Sequence, residues 1–136
     1  IDLLRFFGGE ITSINAHSKR LNEKNGDQFA SAIEFESGAL GSYTAHWWSP
    51  GGWSVILYGE GVRVEFKPLE SGRWHDTDFI EHDIQSNELD IKYKPGFYRQ
   101  MEAFIKMVRN GNLDPPGMNL FEALKTMELA QTFACG

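Results

Sequence analysis

The sequence predicts an α+β fold, in which an open, mainly antiparallel sheet carries helices on one face and leaves the other face available for contact with another subunit. After a short helix at the start, alternating apolar residues between positions 10 and 66 indicate strands with no helix between them. The helical period returns only from Phe97 onward, so strands and later helices are segregated along the chain. A chain of 136 residues can bury a core of its own. We therefore expect residues 1–136 to form a single domain.

The first segment, residues 1–7, is predicted to be a helix, because apolar side chains recur at helical spacing and Gly8-Gly9 follow them. Neither an initiator methionine nor a capping residue precedes this pattern, and we expect the sequence to be a fragment of a longer protein. Residues 10–16 alternate and predict a strand. Residues 18–28 are polar and contain Asn25-Gly26, which predicts a loop or turn.

The centre of the predicted sheet is a hairpin over residues 29–48, with Ser37-Gly38 as its turn. A two-residue turn would place Phe35 opposite Leu40 and Ile33 opposite Ser42. Side chains alternate between faces along a strand, so the bulkier ones would share one face. That bulky face would hold Phe29, Ile33, Phe35, Leu40, His46 and Trp48. The small face, expected to meet a second sheet or another subunit, would hold Ala30, Ala32, Gly41, Tyr43 and Ala45.

A tryptophan-rich bend at Pro50-Gly51-Gly52 separates this hairpin from the next. Residues 53–58 and 62–66 alternate and contain β-branched side chains, which predicts a second hairpin across Gly59-Glu60-Gly61. Residues 68–78 predict a turn region. Residues 78–93 are predicted to form two short edge strands. The apolar positions that indicate them are Phe79, Ile84, Leu89 and Ile91.

Two helices close the predicted fold. The first begins at Phe97 and ends at Asn110-Gly111, with one apolar stripe. The stripe consists of Phe97, Met101, Phe104, Ile105 and Val108. The second helix is predicted from Asn119, as a cap with Glu122 as its capping-box partner, to about Phe133. Its apolar side is predicted to contain Leu120, Leu124 and Met127.

Composition excludes several classes of partner. Lys and Arg number 13 against 19 Asp and Glu, for a net charge of −6, and no basic run is present. This balance argues against nucleic acid and against an anionic membrane surface as partners. No apolar stretch approaches the length of a membrane span. The single cysteine, Cys135, excludes a disulfide within the chain and favours a reducing, cytoplasmic location.

Two histidine pairs are the first candidates for chemistry. His75-Asp76 and His82-Asp83 could supply metal ligands, but in a polar segment we favour surface residues, and we predict no metal site. The sequence also lacks the short motifs of phosphate-binding loops, zinc proteases and serine hydrolases. Composition and pattern alone therefore predict no complete catalytic set.

The remaining candidates lie near the first hairpin and at the start of the chain. For His46 we favour a hydrogen-bonded histidine at the sheet rim over a general base. Trp48 and Trp53 fit either an apolar wall for a sugar-like ring or an oligomer interface, and both readings stay open. Asp2 and Arg5 are one helical turn apart, a spacing typical of a simple ion pair.

Five blocks of this sequence resemble the C-terminal domain of the glucose–fructose oxidoreductase / inositol dehydrogenase / MocA-like family. In order they are IDLLRFFGGEITSINA, FASAIEFESGALGSYTAHW, SVILYGEGVRVEF, FYRQMEAFIKMVRNG and MNLFEALKTMELAQ. Only about residues 68–93 lack a counterpart. The resemblance implies an antiparallel sheet covered by helices on one face, with the other face packed against a neighbouring subunit.

The resemblance also implies parts that this sequence does not contain. These are an N-terminal Rossmann domain that binds NAD or NADP, a catalytic lysine in a Glu-Lys-Pro motif, and an Asp-x-x-x-His motif just upstream. Asp2 matches the position three residues beyond that histidine, which contacts a substrate hydroxyl in inositol dehydrogenase-like members.

We therefore expect the substrate-binding and oligomerisation domain of an NAD(P)-dependent oxidoreductase acting on a sugar, inositol or related polyol. The expected substrate contacts are Asp2, His46, Trp48 and Trp53, and the expected partner is a second copy of the chain through the open sheet face. The fragment alone is expected to be inactive. The alternative is a non-catalytic assembly or ligand-sensing domain of the same fold.

Overall fold

The computed structural model describes residues 1–24 and 26–135, which form four helices and seven strands. Asn25, half of the predicted Asn25-Gly26 turn, lies outside the described residues. In chain order the elements are α1 (Asp2–Gly8), β1 (Ile11–Lys19), β2 (Gln28–Phe35), β3 (Leu40–His46), β4 (Val55–Gly59), β5 (Val62–Phe66), β6 (Gly72–His75), β7 (Glu81–Ile84), α2 (Glu88–Lys92), α3 (Phe97–Asn110) and α4 (Leu120–Cys135).

The strands form two antiparallel sheets, one in the order β1-β2-β3 and one in the order β4-β5-β6-β7. The predicted α+β class is confirmed, although the strands divide between two sheets where the pattern predicted one. The chain likewise forms two compact units. The first contains residues 1–49 and the segment that begins at Met118, and the second is Pro50–Gly117. No helix in the described part of the chain is long and apolar enough to cross a membrane.

The β2–β3 hairpin has a register one residue away from the predicted one. The Phe35 N–H donates to the Ala39 carbonyl at 3.0 Å, and Ile33 lies opposite Gly41. The loop thus has three residues rather than two. Gly38 sits in it with φ +82°, the left-handed conformation that such loops require.

This shift reverses the predicted faces of β3, because a one-residue slip moves every side chain to the other side of a sheet. Gly41, Tyr43 and Ala45 lie on the covered face with Ile33, and the prediction that Leu40 and His46 share that face is wrong. The open face carries mostly small and polar side chains: Ser13, Asn15, His17, Ala30, Ala32, Ser42, Thr44 and His46.

The core of the first unit lies between the sheet and α4. Ile33 is only 1% exposed and packs in one cluster with Phe35, Leu129 and Phe133. The ring of Tyr43 stacks on Phe133 with 4.9 Å between centroids, and burial raises the pKa of Tyr43. The cluster therefore joins the middle strand to the last two turns of α4.

Helix ends in the first unit follow their local sequence signals. α1 ends at Gly9, whose φ of +88° confirms the predicted glycine stop. Asn119 Oδ1 accepts the Glu122 N–H at 3.0 Å, which confirms Asn119 as the cap of α4. The Glu122 carboxylate, predicted to complete a capping box, instead binds Arg5.

The second unit contains the predicted β4–β5 hairpin, closed at Gly59 opposite Val62. Two predictions beyond it are wrong. The supposed turn region contains β6, which pairs with β5 on one side and β7 on the other. Of the two predicted edge strands only β7 forms, because Asn87 accepts the Leu89 N–H at 2.9 Å and starts the helix α2.

The apolar stripe of α3 is present as predicted but stays exposed. The helix bounds match the pattern, and Gly111 ends the helix with φ +73°. All five stripe residues are exposed, with Met101 at 57%. In α4 the predicted apolar side is also exposed, since Leu129 and Phe133 on the other side of the helix make the core contact.

Candidate functional site

Asp2 lies in the first turn of α1, beside α4. The Thr126 hydroxyl donates to Asp2 Oδ1 at 3.0 Å. Arg5 Nη1 donates to the same hydroxyl oxygen at 3.2 Å, so the predicted direct pair between Asp2 and Arg5 is replaced by two separate contacts with Thr126. The rest of the Asp2 side chain is exposed.

Arg5 links α1 to the start of β1 and to α4. Its side chain is only 10% exposed, and Nη2 donates to Glu10 Oε1 at 2.9 Å and to Glu122 Oε2 at 2.5 Å. Nη1 also donates to the Glu122 carbonyl at 2.9 Å. Hydrogen bonds with Glu122 raise the pKa of Arg5, and Arg5 in turn lowers the pKa values of Glu122 and Glu10. These bonds fix the helix that carries Asp2 against α4.

His46 lies elsewhere in the first unit. It ends β3 on the open face, opposite Gln28, whereas α4 and Asp2 lie on the covered side. His46 and Asp2 also lie toward opposite ends of the sheet. The first turns of α4 contact Arg5 beside the start of β1, and Ser18 near the end of β1 donates to the Ala134 carbonyl at 3.3 Å. The structure therefore does not bring Asp2 and His46 together.

Trp48 follows β3 and is 66% exposed. Its neighbour Trp47 is held in place, because the Trp47 N–H donates to the Asp27 carbonyl at 3.0 Å and its ring lies 6.0 Å from that of Phe29. The segment that presents Trp48 is thus attached to the start of β2.

Asp27, which sequence reasoning missed, is 1% exposed and anchors the preceding loop. Its carboxylate accepts the N–H groups of Leu21, Asn22 and Glu23 at 3.2, 2.5 and 3.0 Å. Burial works to raise the pKa of Asp27, but these backbone hydrogen bonds outweigh it and the pKa is lowered. The only signal in the sequence is an aspartate next to a glycine in a polar loop.

Trp53, the fourth candidate, belongs to the second unit and is 83% exposed. Three of the predicted substrate contacts therefore lie in one compact unit and one in the other. Trp48 and Trp53 are both largely exposed, as expected of side chains that contact a ring-shaped ligand or another protein surface.

In each of the two histidine pairs the histidine lies next to a carboxylate from the other side of the β6–β7 connection. His82 Nε2 lies 3.1 Å from Asp76 Oδ2, and this contact lowers the pKa of Asp76. His75 Nε2 lies 3.4 Å from Glu81 Oε2. Across the described ranges no three His, Cys, Asp or Glu side chains are placed to hold a metal ion.

The described residues do not fit a nicotinamide dinucleotide. Such cofactors bind where a parallel strand leads through a glycine-rich turn into a helix. Both sheets here are antiparallel, and within residues 1–24 and 26–135 no strand leads through a glycine-rich turn into a helix. We assign no step of a reaction to a cofactor on this part of the protein.

Residues 1–65 match the family model of the GFO/IDH/MocA C-terminal domain. Scyllo-inositol 2-dehydrogenase (NAD(+)) of Bacillus subtilis is 30% identical over 127 residues. That match covers 81% of this chain and 35% of the relative, so the chain spans about a third of the length of the curated relative it matches.

Solved structures share the fold. UDP-N-acetylglucosamine 3-dehydrogenase from Acidithiobacillus ferrooxidans matches 98% of this chain and 42% of its own with a TM-score of 0.78 at 9% identity. Levoglucosan dehydrogenase, in complex with NADH and L-sorbose, matches 85% of this chain and 40% of its own with a TM-score of 0.68 at 16% identity. The fold and the sequence matches define the class, a domain similar to the GFO/IDH/MocA C-terminal domain. The matches confirm the resemblance to the GFO/IDH/MocA C-terminal domain that the sequence blocks predicted.

Proposed function

We propose that this chain is the substrate-binding and subunit-contact domain of an NAD(P)-dependent oxidoreductase that acts on a sugar, an inositol or a related polyol. The observation that carries the proposal is the 30% identity to a scyllo-inositol 2-dehydrogenase across 81% of the chain. The alternative, a non-catalytic assembly or ligand-sensing domain, has no observation of its own in its favour.

Asp2 is the proposed contact to a substrate hydroxyl. Its geometry supports this role, because one carboxylate oxygen is held by Thr126 while the side chain remains exposed. Trp48 and Trp53 are each proposed to offer a ring face to a sugar-like ligand, and His46 is proposed as a polar contact at a position apart from Asp2. The exposure of both tryptophans supports their assignment.

The cofactor site is proposed to lie in another part of the whole protein, together with the groups that transfer the proton. The poor fit of the described residues to a dinucleotide supports this division. We accordingly propose that the chain alone is inactive. A cytoplasmic location is proposed as well, supported by a single free cysteine, Cys135.

The open face of the first sheet is proposed as the surface that contacts a second copy of the chain. Its small side chains, among them Ala30, Ala32 and Ser42, would allow close approach of another flat surface. The corrected register changes the residues assigned to this surface, because Gly41, Tyr43 and Ala45 lie on the covered side.

A nicotinamide titration of the whole protein, followed by a screen of inositol isomers and sugars, tests the proposal. We expect binding of NAD⁺ or NADP⁺ and a substrate-dependent change in nicotinamide absorbance, with scyllo-inositol as the first compound. Failure to bind either nicotinamide would contradict the enzyme and favour the assembly or sensing domain.

A further inference from the structure

The Thr126 hydroxyl has one proton, and its neighbours decide where that proton points. Arg5 Nη1, at 3.2 Å, can only donate, so the hydroxyl oxygen acts as acceptor toward Arg5. The proton is then available to Asp2 Oδ1 at 3.0 Å. The three side chains form a directed series of hydrogen bonds from Arg5 through Thr126 to Asp2.

Arg5 also removes the usual competitor for this proton. A threonine within a helix commonly donates to the carbonyl four residues earlier, and Thr132 of the same helix does so, to the Glu128 carbonyl at 3.0 Å. The equivalent acceptor for Thr126 is the Glu122 carbonyl, which already accepts from Arg5 Nη1 at 2.9 Å in addition to the helical N–H. The hydroxyl is thereby directed toward Asp2.

The two oxygens of Asp2 consequently have different roles. Oδ1 is occupied by Thr126, and no hydrogen bond joins Oδ2 to another residue in the described part of the chain. Because the side chain is exposed, Oδ2 is an accessible acceptor whose direction is set by Thr126.

We propose that Thr126 is a positioning residue for Asp2, and that the Arg5–Thr126–Asp2 series makes Asp2 select a hydroxyl that donates a hydrogen bond. A carbonyl or a carboxylate at that position of the ligand would offer only acceptors and would be rejected. This inference rests on the proposed function, which makes Asp2 a substrate contact.

Three variants of the whole protein test the positioning role: Thr126→Val, Thr126→Ser and Thr132→Val. With the inositol isomer that the wild type turns over fastest, Thr126→Val is expected to raise KM about tenfold with little change in kcat, as loss of a hydrogen bond to a charged group predicts. Thr126→Ser keeps the hydroxyl and should restore KM to within about threefold of the wild type. Thr132→Val removes a threonine hydroxyl from the same helix and should leave KM unchanged.

A series of mono-deoxy inositols tests which hydroxyl group of the ligand Asp2 selects. The wild type should lose most activity at one position of the ring, and the additional loss from Thr126→Val should largely disappear for that analogue. Equal losses from Thr126→Val for every analogue, or an unchanged KM in Thr126→Val, would overturn the selective role.

Crystal structures of the wild type and of Thr126→Val separate this inference from the proposed function. In the wild type we expect the Asp2 carboxylate in one orientation, hydrogen-bonded to Thr126. In the variant we expect it to be rotated or to occupy several orientations. If the wild type turns over no polyol, the proposed function and the ligand part of the inference are both wrong. An Asp2 carboxylate that keeps one orientation without the hydroxyl would overturn the positioning part.

Discussion

Ile33 lies directly opposite Gly41 in the β2–β3 pair, and this pairing decides which side chains of β3 lie on the open face of the first sheet. The missing side chain at Gly41 leaves room for the ring of Phe35, since a Cβ there would lie 2.9 Å from Phe35 Cε2. Phe35 and Ile33 can then pack together on α4. The residues of β3 left on the other face are Leu40, Ser42, Thr44 and His46.

Replacements of Ile33 and Leu40 together test this register, because Ile33 faces the core in either register and Leu40 does so only in the predicted one. Ile33→Ala should lower the free energy of unfolding by about 2–5 kcal/mol, because it removes a buried aliphatic side chain. Leu40→Ala is the matched control, and it should cost no more than about 0.5 kcal/mol because Leu40 is 80% exposed. Urea unfolding of both variants provides the comparison. A large loss for Leu40→Ala as well as for Ile33→Ala would support the register in which Leu40 shares the core face with Ile33.

A charge on the open face tests the proposed contact between copies. Ala32→Glu should shift the whole protein toward smaller assemblies in light scattering, since a carboxylate in a close sheet contact has no partner. Gln131→Glu adds the same charge on α4, on the other side of the sheet, and should leave the mass unchanged. A normal assembly for Ala32→Glu would place the interface elsewhere.

The contacts of Arg5 predict a loss of stability in acid. Arg5 lowers the pKa values of Glu10 and Glu122 in the folded state, so their contribution is complete above the ordinary carboxyl pKa of about 4.3. It is lost as the pH falls from there through the lower folded values, because the unfolded state then binds more protons. Arg5→Met removes these contacts and should destabilise the protein at neutral pH.

The difference in unfolding free energy between wild type and Arg5→Met should therefore shrink as the pH is lowered from 7 to about 3. Urea titrations at several pH values measure it, with Arg99→Met as a control for loss of a positive charge from an exposed helix. A difference that stays constant over this range would show that the carboxylates contribute nothing through Arg5.

Local signals in the sequence were sufficient where one residue decides the structure. Gly9 ends α1 and Asn119 caps α4, each through a bond to its own neighbours. The register of the β2–β3 hairpin, in contrast, is not determined by one residue and its sequence neighbours. Gly38 suits a two-residue or a three-residue loop, and the choice depends on how Phe35 packs over Gly41.

Two other errors have different causes. Leu89 and Ile91 suit either a strand or a helix, and the cap at Asn87 followed by Glu88 was the signal that favours the helix. The bond between Asp2 and Thr126 joins residues 124 positions apart, and only the packing of α1 on α4 brings them together. Asp2 itself could be proposed from the family resemblance, but the residue that orients it could not.

The specificity constant of Asp2→Ala is the most direct test of the account. In the whole protein, with saturating nicotinamide and the best inositol isomer, we expect kcat/KM to fall by about 10- to 100-fold, since a charge-assisted hydrogen bond to the substrate is lost. Asp78→Ala, which removes an exposed carboxylate in the β6–β7 loop, should retain the wild-type value. An Asp2→Ala variant with wild-type kcat/KM would contradict the proposal that this chain contacts the substrate through Asp2.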